Sequence, residues 1–368
     1  MVLTKFIKNN VVMCVALLGA LITSIFVPID AKYLEYFDFK TLTCLFCVLA
    51  VVCALRRIRF FYLLALKIVE HFKTAKIAIL VLVYITFIGS MLIANDMALI
   101  TFLPLGYFVL SSTHKEKYMA FTFIMQNIAA NLGGMLTPFG NPQNLYLYSY
   151  FKIPTLEFTK IMLPPFLLAV SLLVIACLPI KPIKLIMKDT FTEKLNKKRT
   201  ILYLILFAAS LLIVFRVIPY WIGLIVIPII LFKADKESLI MVDYALLGTF
   251  FFFFIFAGNL SRIEIINTAL SSLLEKDTLL VSTLCCQGIS NVPSAILLSR
   301  FTNDYSSLLL GVNIGGTGTL IASLASLITF NEYRVLYPKK TMHYFLMFTG
   351  INVIFLVVMT VVSKLFFI

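Results

Sequence analysis

Long runs of apolar residues, separated by short polar connections, make up most of the chain. A membrane-spanning helix needs about 20 mostly apolar residues. We therefore predict an all-α membrane protein with about nine spanning helices. They are expected at 11–28, 41–55, 118–152, 158–180, 200–218, 221–232, 239–258, 306–330 and 343–367.

Two of these predicted helices are interrupted in their middle. Two prolines and a glycine fall between positions 138 and 142 of the segment 118–152, and three glycines fall between positions 315 and 318 of the segment 306–330. Proline removes a backbone donor and glycine weakens a helix. Both segments are therefore predicted to be broken helices.

Positive charges are concentrated in a few connections. The segment 181–199 carries seven basic residues against two acids, whereas the loops 29–40 and 259–277 each carry three acids and two bases. Because cytoplasmic loops are enriched in lysine and arginine, we predict that 181–199 and the N-terminus are cytoplasmic. The two acidic loops are expected outside. The protein is accordingly expected to be a multi-pass cell-membrane protein.

Two apolar stretches enter and leave the membrane on the same side in this map. The stretch 76–112 has basic residues at both ends and a polar interruption at Asn95 and Asp96. The stretch 278–301 has the same form, with its turn at 290–293. We predict two re-entrant hairpins; two complete spans joined by a tight polar turn are the alternative for 76–112.

The two halves of the chain also match in sequence. The run Asn131–Thr137 aligns with Asn313–Thr319 at an offset of 182, with four of seven positions identical. We predict a first repeat at 1–199, with hairpin 76–112 and broken helix 118–152. A linking helix at 200–218 is followed by a second repeat at 219–368, with hairpin 278–301 and broken helix 306–330. The extra crossing makes the second repeat inverted, as in secondary transporters.

Composition excludes several classes of function. The chain is 61% hydrophobic and 13% charged, which is far from a soluble domain. Its net charge of +14 comes from the connections between apolar segments, so a nucleic-acid partner is not expected. The sequence shows no phosphate-binding loop, no metal-ligand cluster and no pair of nucleophile and base, so neither an enzyme nor a cofactor is expected.

The hairpin turns and helix breaks are where a binding site is expected. They place backbone groups without helical partners inside the membrane, together with small, amide and hydroxyl side chains that suit a cation or a helix-terminal anion. No lysine, arginine or histidine is expected nearby, so an anion would depend on helix ends, amides and a co-bound cation. The candidate residues are Asn95, Asp96, Thr137, Gly140, Asn141, Gln143, Asn144, Ser290, Asn291, Gly315, Gly316, Thr317, Thr319 and Ser323.

Asp96 is the one acid in the stretch 76–112. A carboxylate inside a membrane is costly and is usually functional. We predict that Asp96 binds a cation or carries the coupling proton. The structural alternative is that it caps a hairpin helix starting at Met97.

These motifs resemble a known family. The runs Asn95–Pro104, Asn131–Asn144 and Ser290–Pro293 are similar to the first hairpin, first broken helix and second tip of the ion transporter superfamily. This superfamily includes sodium symporters for dicarboxylates and citrate, arsenite permeases and sodium/proton antiporters. The resemblance implies a homodimer with a transport domain that moves as an elevator.

The resemblance also implies roles for individual residues. Substrate would contact Asn95, Asn141 and Asn291, and Thr317 and Ser323 are further candidates from their positions at the second break. Coupling ions, sodium or protons, would bind at two pseudo-symmetric sites, with Asn95 and Gly140 in one and Asn291 and Ala322 in the other. Asp96, Asn144 and Ser290 are further candidates from their positions at the tips and the first break. The Asn-Asp form of the first tip is closer to the arsenite and antiporter branches than to the dicarboxylate carriers. We therefore expect a symporter of a small anion such as citrate or a dicarboxylate, with a sodium/proton antiporter using Asp96 or an arsenite efflux permease as alternatives.

Overall fold

A computed structural model describes residues 10–69, 71–72, 74–184 and 195–367. The predicted cytoplasmic N-terminal residues 1–9 and much of the basic connection, with Lys188 and Lys194, lie outside the described residues. The α-helices of the described part are α1 Val11–Phe26, α2 Phe39–Arg57, α3 Phe60–Val69, α4 Ala75–Ile93, α5 Asn95–Ser112, α6 Met119–Gly133, α7 Pro142–Tyr150, α8 Thr155–Cys177, α9 Lys197–Val214, α10 Tyr220–Ile240, α11 Tyr244–Arg262, α12 Glu264–Ile289, α13 Asn291–Leu298, α14 Tyr305–Ile314, α15 Leu324–Leu336 and α16 Thr341–Phe366.

The helical membrane architecture is confirmed. Among the described residues, five helices are long and apolar enough to cross a membrane, at Phe39–Arg57, Ala75–Ile93, Thr155–Cys177, Tyr244–Arg262 and Pro338–Phe366. Since α4 belongs to this set, the structure leaves both interpretations of 76–112 open. The number of crossings and the inversion of the repeats stay predictions.

One group of helices pairs the two halves of the chain. Helix α1 packs on α11, and α2 packs on α10 with α9 beside it. The amide of Asn259 on α11 donates to the hydroxyls of Thr23 and Ser24 on α1, at 3.3 and 3.1 Å. Polar contacts of this kind add to close packing where helices associate in a membrane.

A second group holds the hairpins and the broken helices. Helix α4 packs on α6, α12 on α14, α5 on α15 and the short α13 on α7. Helices α8 and α16 contact this inner group. The inner group meets the outer one through α7 against α2 and α13 against α11.

Two predicted boundaries are wrong for the same physical reason. The predicted helix 221–232 continues to Ile240, with a bend at Asp235. The predicted outside loop 259–277 is helical from Glu264 and continues into the second hairpin, with a bend at Asp277. Asp235 pairs with Arg57 at 2.9 Å, and Asp277 accepts the N–H of Leu280 at 2.9 Å and pairs with Lys364.

The two predicted breaks are confirmed, and they match in register. Helix α6 ends at Gly133 and α14 at Ile314, and the following helices restart at Pro142 and Leu324, which are 182 residues apart. The N-caps Asn141 and Ser323 have similar extended backbones, with φ/ψ of −141°/147° and −149°/151°. The offset read from the sequence therefore describes the structure of the breaks.

A glycine at the end of α6 allows α6 to approach α4, and we predict that adding one methyl group there destabilises the fold. A Cβ on Gly133 would lie 2.2 Å from the carbonyl oxygen of Phe87 and 2.6 Å from Oγ of Ser90. Overpacking of this kind costs about 1–3 kcal/mol. We expect Gly133→Ala to lower the unfolding temperature of the detergent-purified protein.

The matched control is Gly350→Ala on α16, where a Cβ meets nothing within 4 Å. It removes a helix-interior glycine, so we expect no loss of stability and a gain of up to about 1 kcal/mol. Equal unfolding temperatures for the two variants would show that α6 and α4 are not in this close contact.

Candidate functional site

The two hairpin tips share an unusual backbone conformation. Ala94, which joins α4 to α5, has φ 65° and ψ 154°, and Ser290, which joins α12 to α13, has φ 76° and ψ 157°. Glycine adopts this region freely, whereas other residues pay about 1–3 kcal/mol. Strain kept at two equivalent positions marks both tips as candidate functional positions.

The first tip is held against the first broken helix by a buried amide. Asn95 is 4% exposed, and its Nδ2 donates to Oδ1 of Asn131 on α6 at 3.1 Å. Its Oδ1 accepts the N–H of Asp96 at 3.0 Å. The helix therefore begins at Asn95, with Ala94 as its N-cap, and not at Met97. Asp96 lies inside the first turn of α5, so it does not occupy the N-cap position that the structural alternative required.

The second tip is held by its backbone. The N–H of Asn291 donates to the carbonyl of Ala322 at 2.9 Å, and the Ser290 hydroxyl donates to the same oxygen at 3.3 Å. The Asn291 Oδ1 accepts the N–H of Val292 at 2.9 Å. Ser290, Asn291 and Ala322, which were predicted to share a cation site, are therefore in direct contact.

One side chain satisfies the carbonyls that the first break frees. Asn144 Nδ2 donates to the carbonyls of Gly134, Met135 and Thr137, each at 3.2 Å. A Cβ on Gly140 would lie 2.3 Å from the Gly134 carbonyl oxygen. Position 140 must therefore be glycine for the break to close, which accounts for the predicted importance of Gly140 by packing.

A residue that the sequence analysis did not select satisfies the second break. Gln287, on α12 before the second tip, donates through Nε2 to the carbonyls of Gly315 and Thr317 at 2.9 and 3.1 Å. Its Oε1 accepts the N–H of Thr319 at 2.9 Å. A Cβ on Gly318, whose φ is +109°, would lie 2.2 Å from that Oε1, so this position also requires glycine.

A buried amide cluster joins the two breaks around Asn313. Its Nδ2 donates to Oδ1 of Asn144 at 2.6 Å. Its Oδ1 accepts from Nδ2 of Asn141 at 3.3 Å and from Nε2 of Gln143 at 3.4 Å. All four side chains are at most 1% exposed. Asn141 and Asn144 are thus brought together by a partner from the other half of the chain.

Gly316 brings the second tip close to the first broken helix. A Cβ there would lie 3.0 Å from Nδ2 of Asn291 and 3.4 Å from Oδ1 of Asn131. Since Asn131 also holds Asn95, both tips approach the same small region. Of the other predicted substrate residues, Thr317 is fully buried and its hydroxyl donates to the Ile314 carbonyl at 2.7 Å.

Ser323 is the N-cap of α15, and its Oγ accepts the N–H of Ser326 at 3.1 Å. The helix N-termini of α5, α7, α13 and α15 all begin at predicted site residues or directly after them. Helix N-termini attract anions because their first N–H groups have no helical partner. Most of the N–H groups at the start of α13 already have partners, since that of Asn291 donates to the Ala322 carbonyl and that of Val292 donates to Asn291 Oδ1. What the four helix starts bring to the site is therefore the positive end of each helix dipole.

Several buried oxygen atoms near the breaks have no hydrogen-bond partner among the described residues. Three of them belong to the first half of the site: Oδ1 of Asp96, Oδ1 of Asn141 and Oε1 of Gln143. The amide nitrogens of Asn141 and Gln143 are already engaged with Asn313. The unsatisfied atoms are thus acceptors, which is the chemistry of a hard cation site.

Asp96 connects the first tip to the second break. Its carboxylate lies close to the backbone N–H of Ala325 in the first turn of α15, on which α5 packs. A negative charge at a helix N-terminus is stabilised by the helix dipole. The predicted absence of basic residues near the tips is wrong, because Nη1 of Arg56 at the end of α2 lies 3.8 Å from Sδ of Met97, the residue after Asp96.

The residues that sequence reasoning missed had different signals. Asn131 and Asn313 stand at equal positions of the repeated run, and an amide repeated in two buried helices indicates a polar network. Gln287 and Arg56 carry no such mark, since their partners become neighbours through folding alone.

Comparison with known proteins places the chain beside membrane transporters. Residues 1–305 match the family model described as citrate transporter. An uncharacterized transporter of Methanocaldococcus jannaschii is 33% identical over 339 residues, which cover 90% of this chain and 91% of that protein. The inner membrane protein YbiR of Escherichia coli is 28% identical over 325 residues, which cover 85% of this chain and 86% of that protein.

We predict that Gln287→Ala destabilises the second break. The substitution leaves the freed carbonyls of Gly315 and Thr317 without their amide donor, and each buried polar group without a partner costs about 1–3 kcal/mol. A lower unfolding temperature in detergent is the expected result. Thr349→Val is the control, because the Thr349 hydroxyl has no partner in the described part of the chain. Equal stability of the two variants would show that water satisfies the break without Gln287.

Proposed function

Because the chain belongs to the citrate transporter family, we propose that it is an ion-coupled secondary transporter of a small anion, a carboxylate such as citrate or a dicarboxylate. The coupling ion in this proposal is sodium or a proton. The finding that carries the proposal is the pairing of opposite chemistries within one buried region. Unsatisfied oxygen acceptors lie beside the first break, and the positive ends of four helix dipoles lie around it.

The acceptors support binding of a cation on the side of the first repeat. Asp96 supplies the negative charge, and the amide oxygens of Asn141 and Gln143 supply neutral ligands. Oxygen ligands of this type suit sodium, and a carboxylate alone can take a proton. Asn95 fixes the tip from which Asp96 projects.

The helix starts support binding of an anion. Asn291 opens α13, and Ser323 caps α15. The positive end of a helix dipole at such positions favours a carboxylate without a fixed positive side chain. A cation bound at the neighbouring acceptors would add the missing positive charge. Binding of the anion would therefore depend on binding of the cation, which is the thermodynamic requirement for symport.

The position of the inner helices along α2 supports elevator-type movement. At one end of α2, Arg56 contacts Met97 beside the first tip. At the other end, Tyr36 accepts a hydrogen bond from Arg300, which lies beyond the far end of α13 and not at the second tip. If the two repeats followed the predicted pseudo-symmetry, each tip would make an equivalent contact at its own end of α2. In the proposed elevator, the two contacts would correspond to a position of the inner group toward the Arg56 end of α2, which the charge pattern predicts to be cytoplasmic.

Asp96 also favours a second candidate, a sodium/proton antiporter. One of its carboxylate oxygens is buried and without a hydrogen-bond partner among the described residues. A carboxylate in this position could exchange a proton for sodium without any anion. The two candidates differ in whether an organic anion changes the binding of sodium.

We predict that sodium stabilises the purified protein and that citrate or a dicarboxylate adds to the effect. A ligand that binds only the folded state raises its stability by about 2.7 kcal/mol at 100 times its dissociation constant. Asn95→Ala should remove the sodium effect, because it frees the first tip from Asn131. The control, Asn331→Ala at an exposed position of α15, should keep it.

The outcome against the proposal is stabilisation of wild type and Asn95→Ala by the same amount at each sodium concentration. Stabilisation by sodium without any added effect of carboxylates favours the antiporter.

We predict that Asp96→Asn keeps part of the sodium-driven citrate uptake in proteoliposomes, because the amide oxygen still coordinates a cation. The substitution removes the carboxyl group that can carry a proton. Glu332→Gln, an exposed acid on α15, is the control and should behave as wild type. Uptake is followed with labelled citrate, and proton movement with an enclosed pH dye. Sodium/proton exchange without citrate in wild type, abolished in Asp96→Asn, would replace the symporter with the antiporter.

A further inference from the structure

A polar cavity, separate from the amide cluster around Asn313, lies at the end of the molecule that the charge pattern predicts to be outside. Its volume is about 330 Å3. Its walls come from the residues that lead into α2, from the end of α7, from the turn between α9 and α10, and from the end of the second hairpin. The charged residues that line it are Lys40, Lys152, Arg216, Arg300, Glu35 and Asp38.

The balance of charge in this outer cavity is positive. Of its two acids, Asp38 is engaged as the N-cap of α2, where it accepts the N–H of Thr41 at 2.9 Å. Within the described ranges, none of the four basic residues forms an ion pair with a carboxylate. Four positive and two negative charges therefore line one space, an excess of two positive charges. A multivalent anion is the ligand that would compensate this excess.

The guanidinium groups are fixed in place, and they retain donors. Arg300 donates from Nη2 to the Tyr36 carbonyl at 2.6 Å and lies over the Tyr150 ring at 5.3 Å, while its Nε–H is buried without a partner among the described residues. Arg216 donates from Nη2 to the Tyr148 carbonyl at 2.6 Å. Groups held in this way lose little side-chain entropy when an anion binds.

The outer cavity is separate from the amide cluster at the breaks. Tyr146 lies on α7 between them and is fully buried. Its ring stacks on Tyr150 with 5.4 Å between centroids, and its hydroxyl is 2.8 Å from Oγ of Ser299. Phe250 and Phe254 pack against the same ring. This aromatic group closes the route from the cavity to Asn144.

We propose that the outer cavity is an anion-binding site, distinct from the central one, for a molecule with two or more carboxylate or phosphate charges. That such an anion is also the transported substrate rests on the proposed function. The binding itself does not, because it requires neither the hairpin tips nor a cation. Since α7 has nine residues, the two sites are about 13 Å apart along it. An anion held in the outer cavity would be one helix length from the centre.

The test measures stabilisation of the full-length protein by citrate and by inorganic phosphate as choline salts, without sodium. Wild type should be stabilised. Arg300→Gln and Lys40→Gln should each raise the half-saturating concentration about tenfold, which is the typical loss for one charge-assisted hydrogen bond. Arg300→Lys should restore part of the effect. Lys339→Gln, a basic residue far from the cavity, and Asn95→Ala should match wild type.

The lipid environment distinguishes two sources of the same chemistry. In nanodiscs of phosphatidylcholine, citrate should bind as in detergent. If a lipid headgroup occupies the cavity, citrate should bind wild type more weakly in discs that contain phosphatidylglycerol, and Arg300→Gln should not show this difference. Equal binding of citrate in both kinds of disc would identify a soluble anion as the ligand. Either result supports an anion site.

Three results would overturn the proposal: no stabilisation of wild type by either anion together with no effect of lipid charge, no effect of both Arg300→Gln and Lys40→Gln, or loss of binding in Asn95→Ala. Sodium-dependent stabilisation that Asn95→Ala removes is a separate signal, so the proposed function and the outer site can fail independently.

Discussion

Every backbone group that a broken helix frees inside a membrane needs a partner within the protein, because lipid supplies none. The site of this protein follows from that requirement. Asn144 supplies donors to the carbonyls of the first break, and Gln287 supplies them to the second. With these carbonyls engaged, the breaks do not need water or a ligand to satisfy them. The other polar side chains around the breaks are therefore available to bind a ligand.

The chemistry that remains is uneven between the two halves. In the second half, the Asn291 Oδ1 and the Ala322 carbonyl already accept hydrogen bonds. In the first half, oxygens of Asp96, Asn141 and Gln143 lack partners within the described residues. Two similar backbones thus carry dissimilar sites. In the proposed transporter a cation would bind beside the first break, and an anion would bind at the positive helix ends of the second half.

Sequence patterns predicted the irregular parts of the fold better than the regular ones. Prolines and glycines located both breaks, and the repeated run set their register, because such residues act locally on the backbone. The extent of α10 was not predictable locally, since it depends on Arg57, which pairs with Asp235 from a distant part of the chain. Gln287 and Arg56 were not predicted for the same reason, since their partners also lie in distant parts of the chain. A residue that hydrogen-bonds to a distant polar group can be recognised only when its partner is known, because the sequence around it carries no signal of that role.

The tips and the outer cavity are parts of one mechanical arrangement. Asp96 on the first tip lies beside the start of α15 after the second break, so its charge bears on how the two halves fit together. Arg300 ends the second hairpin and contacts Tyr36 before α2, so the cavity exists only while these two helices keep their present positions. Displacement of the inner group along α2 would open the Arg56 contact at one end and dismantle the cavity at the other. If the protein works as the proposed elevator, an anion in the cavity would consequently stabilise the present arrangement.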